Sequence, residues 1–225
     1  WPMVGRDPGH TRQTAAGPTD PETVWVTELD QVRASGTPAV AGGRLYVPVD
    51  ALSDTVRHRY RIHSLTAATG EEQWQVPLRS EPNGPPAVSG KQIVVTAQRA
   101  LERGRIVCFQ GRYGDEEWLV DVDARLTAAP TIADGIVYVP DWRGRVHALS
   151  VADGSVLWSH HVDADAGGRT FTEPAAVSDE TLYLGSQSGN TGVVALDGTT
   201  GETRWTESTP AVTAGPVAHP EGVVV

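Results

Sequence analysis

Val194-Ala-Leu-Asp-Gly-Thr-Thr-Gly-Glu-Thr-Arg-Trp205 is the stretch on which the fold turns, because three other segments copy its outline. Ser64 to Trp74, Cys108 to Trp118 and Ala148 to Trp158 share with Ala195 to Trp205 a small residue first, a large apolar residue second, Gly seventh and Trp eleventh. The shared glycines are Gly70, Gly114, Gly154 and Gly201, and the shared indoles Trp74, Trp118, Trp158 and Trp205. Four copies in one register make a repeat.

A second landmark precedes each copy: a Pro, an apolar pair, a Gly/Asp turn and a run rich in Val, Ile, Leu and Tyr. It begins at Pro38, Pro86, Pro130, Pro174 and, incompletely, Pro216, with steps of 48, 44, 44 and 42 residues. Self-similarity at such a period means a solenoid, a propeller or an array. Short β-branched and aromatic runs bounded by Gly, Asp and Pro are strand signals, and no window carries a helical stripe over three turns. Each unit offers four strands, named A (after the Pro), B (the Tyr-Val run), C (into the motif) and D (ending near the Trp). Units of this size with four strands suit propeller blades better than the shorter coils of a β-solenoid. The expected fold is therefore all-β, a β-propeller of four-stranded antiparallel blades, present as an open ring of about four full blades plus parts. Residues 38–74, 86–118, 130–158 and 174–205 are the blades and 216–225 a partial one, together 38–225. Residues 1–37 are an N-terminal segment in which Trp25 marks a lone, ring-closing D strand. The seventh Gly suits a C–D turn at positive φ, and each Trp offers a large surface to the neighbouring blade.

Ala195 to Trp205 resembles the tryptophan-docking motif of the quinoprotein (pyrroloquinoline-quinone-type) β-propeller superfamily, Ala-x-Asp-x-x-Thr-Gly-x-x-x-Trp, and matches it fully. The other copies depart from it: Thr66, Gln110 and Ser150 replace the Asp, and Tyr113 and Asp153 replace the Thr. The opening Trp1-Pro-Met-Val-Gly-Arg-Asp-Pro-Gly-His-Thr is similar to the start of mature secreted members. The resemblance implies an extracytoplasmic propeller (periplasmic, secreted or anchored at the cell surface), more like the propeller lipoprotein of outer-membrane barrel assembly than a quinoprotein dehydrogenase. Relatives of that kind have about eight blades, so a chain that stops within a B strand at Val225 is expected to be a fragment with its ring open.

Composition narrows the partners. The net charge is −10, and Lys91 is the one lysine among 18 basic residues. That balance argues against nucleic acid, and an acidic, lysine-poor chain also suits a salt-loving source. The single cysteine, Cys108, excludes an intrachain disulfide and sits at the motif's small position, where a buried inert thiol is expected. No apolar run is long enough to span a membrane, so a membrane enters only through a lost lipid anchor or leader.

Loop lengths point to one working face. The A-to-B and C-to-D spacings are nearly constant, whereas the B-to-C interval runs 19, 15, 11 and 13 residues and the Trp-to-Pro interval 13, 12, 12, 16 and 11. In an up-and-down blade the B–C and D–A loops share a face, and variable loops on a rigid scaffold carry function. That face is close to charge balance, and most of the acidic surplus lies elsewhere. Its arginines gather as Arg57, Arg59 and Arg61, then Arg99, Arg103 and Arg105, then Arg143 and Arg145. Guanidinium forks suit carboxylates, so an anionic small ligand or a peptide-like partner is one reading; solvated loop charges paired with Asp50, Asp54, Glu102 and Asp141 is the other. Trp142 is either an interface anchor or a cover for its own blade. His160, His161, Asp163 and Asp165 are metal-capable types, but adjacent side chains on an extended strand diverge, and no metal site is expected.

Three functional readings follow. The first is a non-catalytic scaffold that binds a protein or an anionic ligand on the B–C/D–A face, with no cofactor. The alternative is a quinone (PQQ)-dependent dehydrogenase of alcohols or sugars, which the resemblance would equip with a vicinal cysteine pair and a calcium site; no Cys-Cys occurs, and no ligand set can be placed. A third reading is a sensing propeller attached to another module. No hydrolase signature appears, since Gly185-Ser-Gln-Ser-Gly189 lies on a hairpin.

Overall fold

The computed structural model describes residues 3–4, 6–10, 22–30, 32–52, 59–162, 170–187, 192–219 and 222–225. In blade 1 the A strand Ala39–Ala41, B strand Arg44–Ala51, C strand Tyr60–Thr66 and D strand Glu72–Pro77 pair antiparallel in that order. Val32–Ser35 adds to the far half of the B strand. Blade 2 has a split A strand, Glu81–Pro82 and Ala87–Ser89, both on Gln92–Ala100, followed by Arg103–Gln110 and Glu116–Val122. Blade 3 is Thr131–Ala133, Ile136–Pro140, Arg145–Ser150 and Val156–His161; blade 4 is Ala176–Ser178, Thr181–Gly185, Val193–Asp197 and Thr203–Glu207. A last hairpin, Val217–His219 with Gly222–Val224, supplies the A and B strands of a further blade. The chain is an all-β open ring of propeller blades, in the register that the repeat predicts.

The motif reads directly onto this geometry. Each C–D pairing carries a register shift just before the Trp, which sets the indole opposite the motif's first residue: Ser64 faces Trp74, Cys108 faces Trp118, Ala148 faces Trp158 and Ala195 faces Trp205. A small residue is required there because the bulged strand lays a large ring across it. The seventh residue closes the C–D turn by donating its N–H to the third, at 2.8 Å for Gly70, 2.7 Å for Gly114, 2.9 Å for Gly154 and 2.8 Å for Gly201. All four have φ between 72° and 80°, a region open to glycine.

Blades are joined by these rings. Trp74 Nε1 donates to the Gly111 carbonyl of blade 2 at 3.1 Å, Trp118 to Val151 of blade 3 at 2.9 Å and Trp158 to Gly198 of blade 4 at 2.9 Å. The same indoles lie flat on the seventh glycine of the next blade, where an added Cβ would meet ring carbons at 2.9 Å (Gly114), 2.7 Å (Gly154) and 2.5 Å (Gly201). Apolar clusters fill the junctions: Ile62, Ile93, Val95 and Val107 between blades 1 and 2, Val94, Ile106, Val137 and Leu149 between 2 and 3, and Tyr138, Leu182, Leu184 and Leu196 between 3 and 4. Burial at about 25 cal/mol per Å² of apolar surface thus acts between blades, so that the sheets stack about an axis.

The N-terminus contributes at two places. Trp25 docks on blade 1 as a preceding blade's Trp would: Nε1 donates to Ala67 O at 3.0 Å and the ring covers Gly70. Residues 22–30 form no regular strand, and Val24 and Val26 are exposed. The opening segment crosses the inner strands instead. Val177 N donates to Pro8 O and Ala218 N to Gly9 O, both at 2.7 Å, while Met3 is buried in the blade 2–3 cluster and His10 between Thr131 and Pro216.

Candidate functional site

The B–C and D–A loops lie together on one side of the blades, and most of the arginines read there as clusters are paired with acids or an amide among the described residues. Arg57 and Asp54 lie outside the described residues, as do Asp163 and Asp165. Arg59 forks onto Asp50 at 2.8 and 2.9 Å, and that bond holds the Asp50 carboxyl below the usual carboxylate range. Arg61 donates to Gln75 Oε1 at 2.6 Å. Arg99 and Arg105 share Asp121, and the Arg105 hydrogen bond is the main cause of that carboxyl's lowered pKa. Arg103 approaches Asp123 at 3.4 Å, and Arg143 meets Glu102 at 2.6 Å.

Arg61, Arg105 and Arg145 occupy one position of the repeat, three residues before the motif. Their cross-strand partners are Pro77, Asp121 and His161 respectively. In blade 2 the guanidinium is matched: Arg105 Nε donates to Asp121 Oδ1 at 2.8 Å and Nη2 to Oδ2 at 3.3 Å. In blade 3 the opposing residue is an imidazole.

The B–C turn of blade 3 takes in residues 141–144 and is built on Asp141, which is 1% exposed. Asp141 Oδ1 accepts the backbone N–H of Arg143 and Arg145 at 2.8 and 2.9 Å, and Oδ2 accepts from His147 Nε2 at 3.1 Å. His147 Nδ1 faces Ser159 Oγ at 3.4 Å. This buried pair was not singled out from sequence; the six-residue spacing from Asp141 to His147 is its only trace. The Ser159, His147 and Asp141 side chains line up, but Ser159 is on an exposed D strand with no helix behind it, so the arrangement is a polar support for the turn. Trp142, at the turn's tip, is 41% exposed, with the Arg125 guanidinium 5.0 Å from its ring centre. His161 Nε2 donates to Arg143 O at 2.6 Å. Beneath the turn a cleft of about 310 Å³ opens between Asp123, Ala124, Arg143, Arg145, His147 and His161.

The residues present do not fit a quinone and calcium centre. Cys108 is the one cysteine and lies buried among Val94, Ile106 and Trp118, so no vicinal pair can form. Among the described residues no three His, Cys, Asp or Glu side chains converge as metal ligands.

A family model described as outer membrane protein assembly factor BamB matches residues 12–101 and 58–219. The outer membrane protein assembly factor BamB of Yersinia pestis is 22% identical over 147 residues, covering 60% of this chain and 36% of that protein. The serine/threonine-protein kinase AfsK of Streptomyces griseus is 29% identical over 183 residues, covering 74% of this chain and 20% of that protein. The crystal structure of BamB from Moraxella catarrhalis superposes with a TM-score of 0.64 at 23% identity, over 81% of this chain and 51% of that one. The chain thus spans about a third to a half of the BamB proteins it matches. With its docking frame repeated in four blades and the model matched from residue 12 to residue 219, the chain belongs to the family of the outer membrane protein assembly factor BamB.

Proposed function

We propose that this chain is a non-catalytic propeller scaffold that works outside the cytoplasm, in outer-membrane assembly, and docks a protein partner on its B–C/D–A face. The observation that supports the reading best is the division of labour between faces. One side of every blade is fixed by the same C–D turn and the same indole-to-carbonyl bond, while the other side carries loops of differing length that present Trp142 and the arginines. An exposed Trp stacked with Arg beside polar loops is the composition of an interface anchor. The family's printed role is assembly, which needs protein contacts rather than chemistry, and the side chains that chemistry would use here are tied into turns.

Site-specific photo-cross-linking tests this in the cell envelope. A photoreactive residue at position 142 is expected to give a discrete adduct with one envelope protein, and the same residue at Thr199, on the opposite C–D face, none. Equal labelling from both positions, or none from 142, would overturn the reading. The likeness to a kinase of Streptomyces griseus over 74% of the chain favours a second reading, a sensing propeller joined to another module. That one requires a saturable small ligand and no envelope adduct.

A further inference from the structure

We propose that the cleft under the blade 3 B–C turn is a binding site for a single carboxylate, clamped by Arg145, and that the carboxylate comes from an acidic side chain of the docked protein. The site stands on its own geometry; only the source of the carboxylate rests on the scaffold reading above.

The argument is a comparison of two blades. Arg105 and Arg145 are the same residue of the repeat, at the same end of the C strand. Opposite Arg105 stands Asp121, whose two oxygens accept the guanidinium fork. Opposite Arg145 stands His161, turned to donate Nε2–H to the Arg143 carbonyl. Blade 3 keeps the cation and loses the anion. Among the described residues Arg145 forms no ion pair, and its one side-chain hydrogen bond is a long donation from Nη1 to Ser159 Oγ at 3.4 Å. A guanidinium has five N–H donors, and a half-buried one left with most of them unmatched is poised for a carboxylate that supplies two acceptors at once.

The other charges at the cleft are already matched. Asp141 spends its oxygens on two backbone N–H groups and His147. Asp123 has Arg103 at 3.4 Å, and Arg143 has Glu102. The Arg145 guanidinium is the group whose donors remain unmatched, and its fork fits one carboxylate. The cleft, at about 310 Å³, has room for an Asp or Glu side chain at the place that Asp121 fills in blade 2. Docking there would set the neighbouring Trp142 against the partner's surface.

The test uses the whole chain and a small probe, so it does not depend on finding the partner. N-acetylglutamate α-N-methylamide, whose one carboxylate is that of the side chain, is titrated while the Arg Nε–H and imidazole signals are followed by NMR, with N-acetylglutamine α-N-methylamide as the uncharged counterpart. Saturable shifts at Arg145 and His161 are expected with the acid only. Arg145→Gln should weaken binding about tenfold or more, the scale of one charge-assisted contact, and Arg105→Gln should leave it unchanged. His161→Asp is the decisive variant: it rebuilds the blade 2 pair inside blade 3, so the protein fills its own site and binding should be lost while the fold is kept. Unsaturable shifts, an equal response to the amide, or wild-type binding by His161→Asp would overturn the proposal. Failure here with a successful cross-link at position 142 removes the carboxylate site alone; success here without an adduct removes the scaffold reading alone.

Discussion

Tyr138 of blade 3 reaches Gly198 of blade 4: its hydroxyl donates to the Gly198 carbonyl at 3.1 Å and would stand 2.9 Å from a Cβ placed on that glycine. Tyr46 and Gly111 repeat the relationship one junction earlier, at 3.4 Å and 2.8 Å. Between blades 2 and 3 the Tyr position holds Val94, and the residue corresponding to the two glycines is Val151. Neither Gly111 nor Gly198 has positive φ, so the backbone does not demand glycine there. All three residues make the same bond to the A–B turn, from Gly111 N to Lys91 O, Val151 N to Gly135 O and Gly198 N to Glu180 O, and Val151 shows that this turn tolerates a side chain. The tyrosine hydroxyl is what selects glycine.

Gly198→Ala is therefore expected to destabilise the chain by about 1–3 kcal/mol through overpacking. Combining it with Tyr138→Val, which copies the blade 2–3 junction, should cost about 1 kcal/mol or more less than the sum of the single changes. Urea unfolding of the four proteins measures the cycle. Simple additivity would mean that the hydroxyl is not the cause.

The docking indoles should differ in worth according to what lies on them. Trp118 is 8% exposed, donates to Val151 and covers Gly154; Trp205 is 41% exposed and meets Tyr183 of its own blade at 6.0 Å. Trp118→Ala should cost about 3–5 kcal/mol, the range for a core aromatic. Trp205→Ala should cost well below half of that. Equal losses in denaturant midpoint would contradict the docking account.

Much of the frame was legible because it is local. The small first residue, the seventh Gly and the Trp are set by one hairpin with one bulge, so their spacing survives in the sequence. The Tyr138–Gly198 relationship spans 60 residues and two blades, and at Gly198 the sequence shows only a glycine beside a turn. The arginines suffered the same loss: Arg105 and Arg145 look alike in the chain, and only strand register shows that one faces Asp121 and the other His161. Asp141 reads as a surface turn acid yet is buried, because two backbone N–H groups and an imidazole replace its water.

His10 gives a prediction that sequence periodicity could not. Its Nδ1 donates to Pro216 O at 3.1 Å from a site 3% exposed, beside backbone bonds that tie Pro8 and Gly9 to the A strands of blade 4 and the last hairpin. His10→Ala leaves the Pro216 carbonyl without this donor, a change worth about 1–3 kcal/mol when buried. Amide exchange at Val177 and Ala218 should accelerate tenfold or more, while Val107, in the blade 1–2 cluster, keeps its rate. Uniform acceleration would show that the segment supports the whole ring rather than its inner strands.

Cys108 ties the core to pH. Burial, reinforced by the Glu117 carboxylate, pushes its thiol up to about 12, and the side chain is fully enclosed. The folded protein should resist iodoacetamide at pH 8 and react stoichiometrically once unfolded, because the thiolate is the nucleophile. The sign of the pH effect follows from proton uptake. Above the unfolded thiol's pKa, near 9, the unfolded chain releases a proton that the folded one retains, so the thiol's contribution is full below pH 9 and falls as pH rises towards 12. Cys108→Ala should flatten that alkaline slope, at the cost of the sulfur's packing opposite Trp118. An unchanged slope would place the titrating group elsewhere.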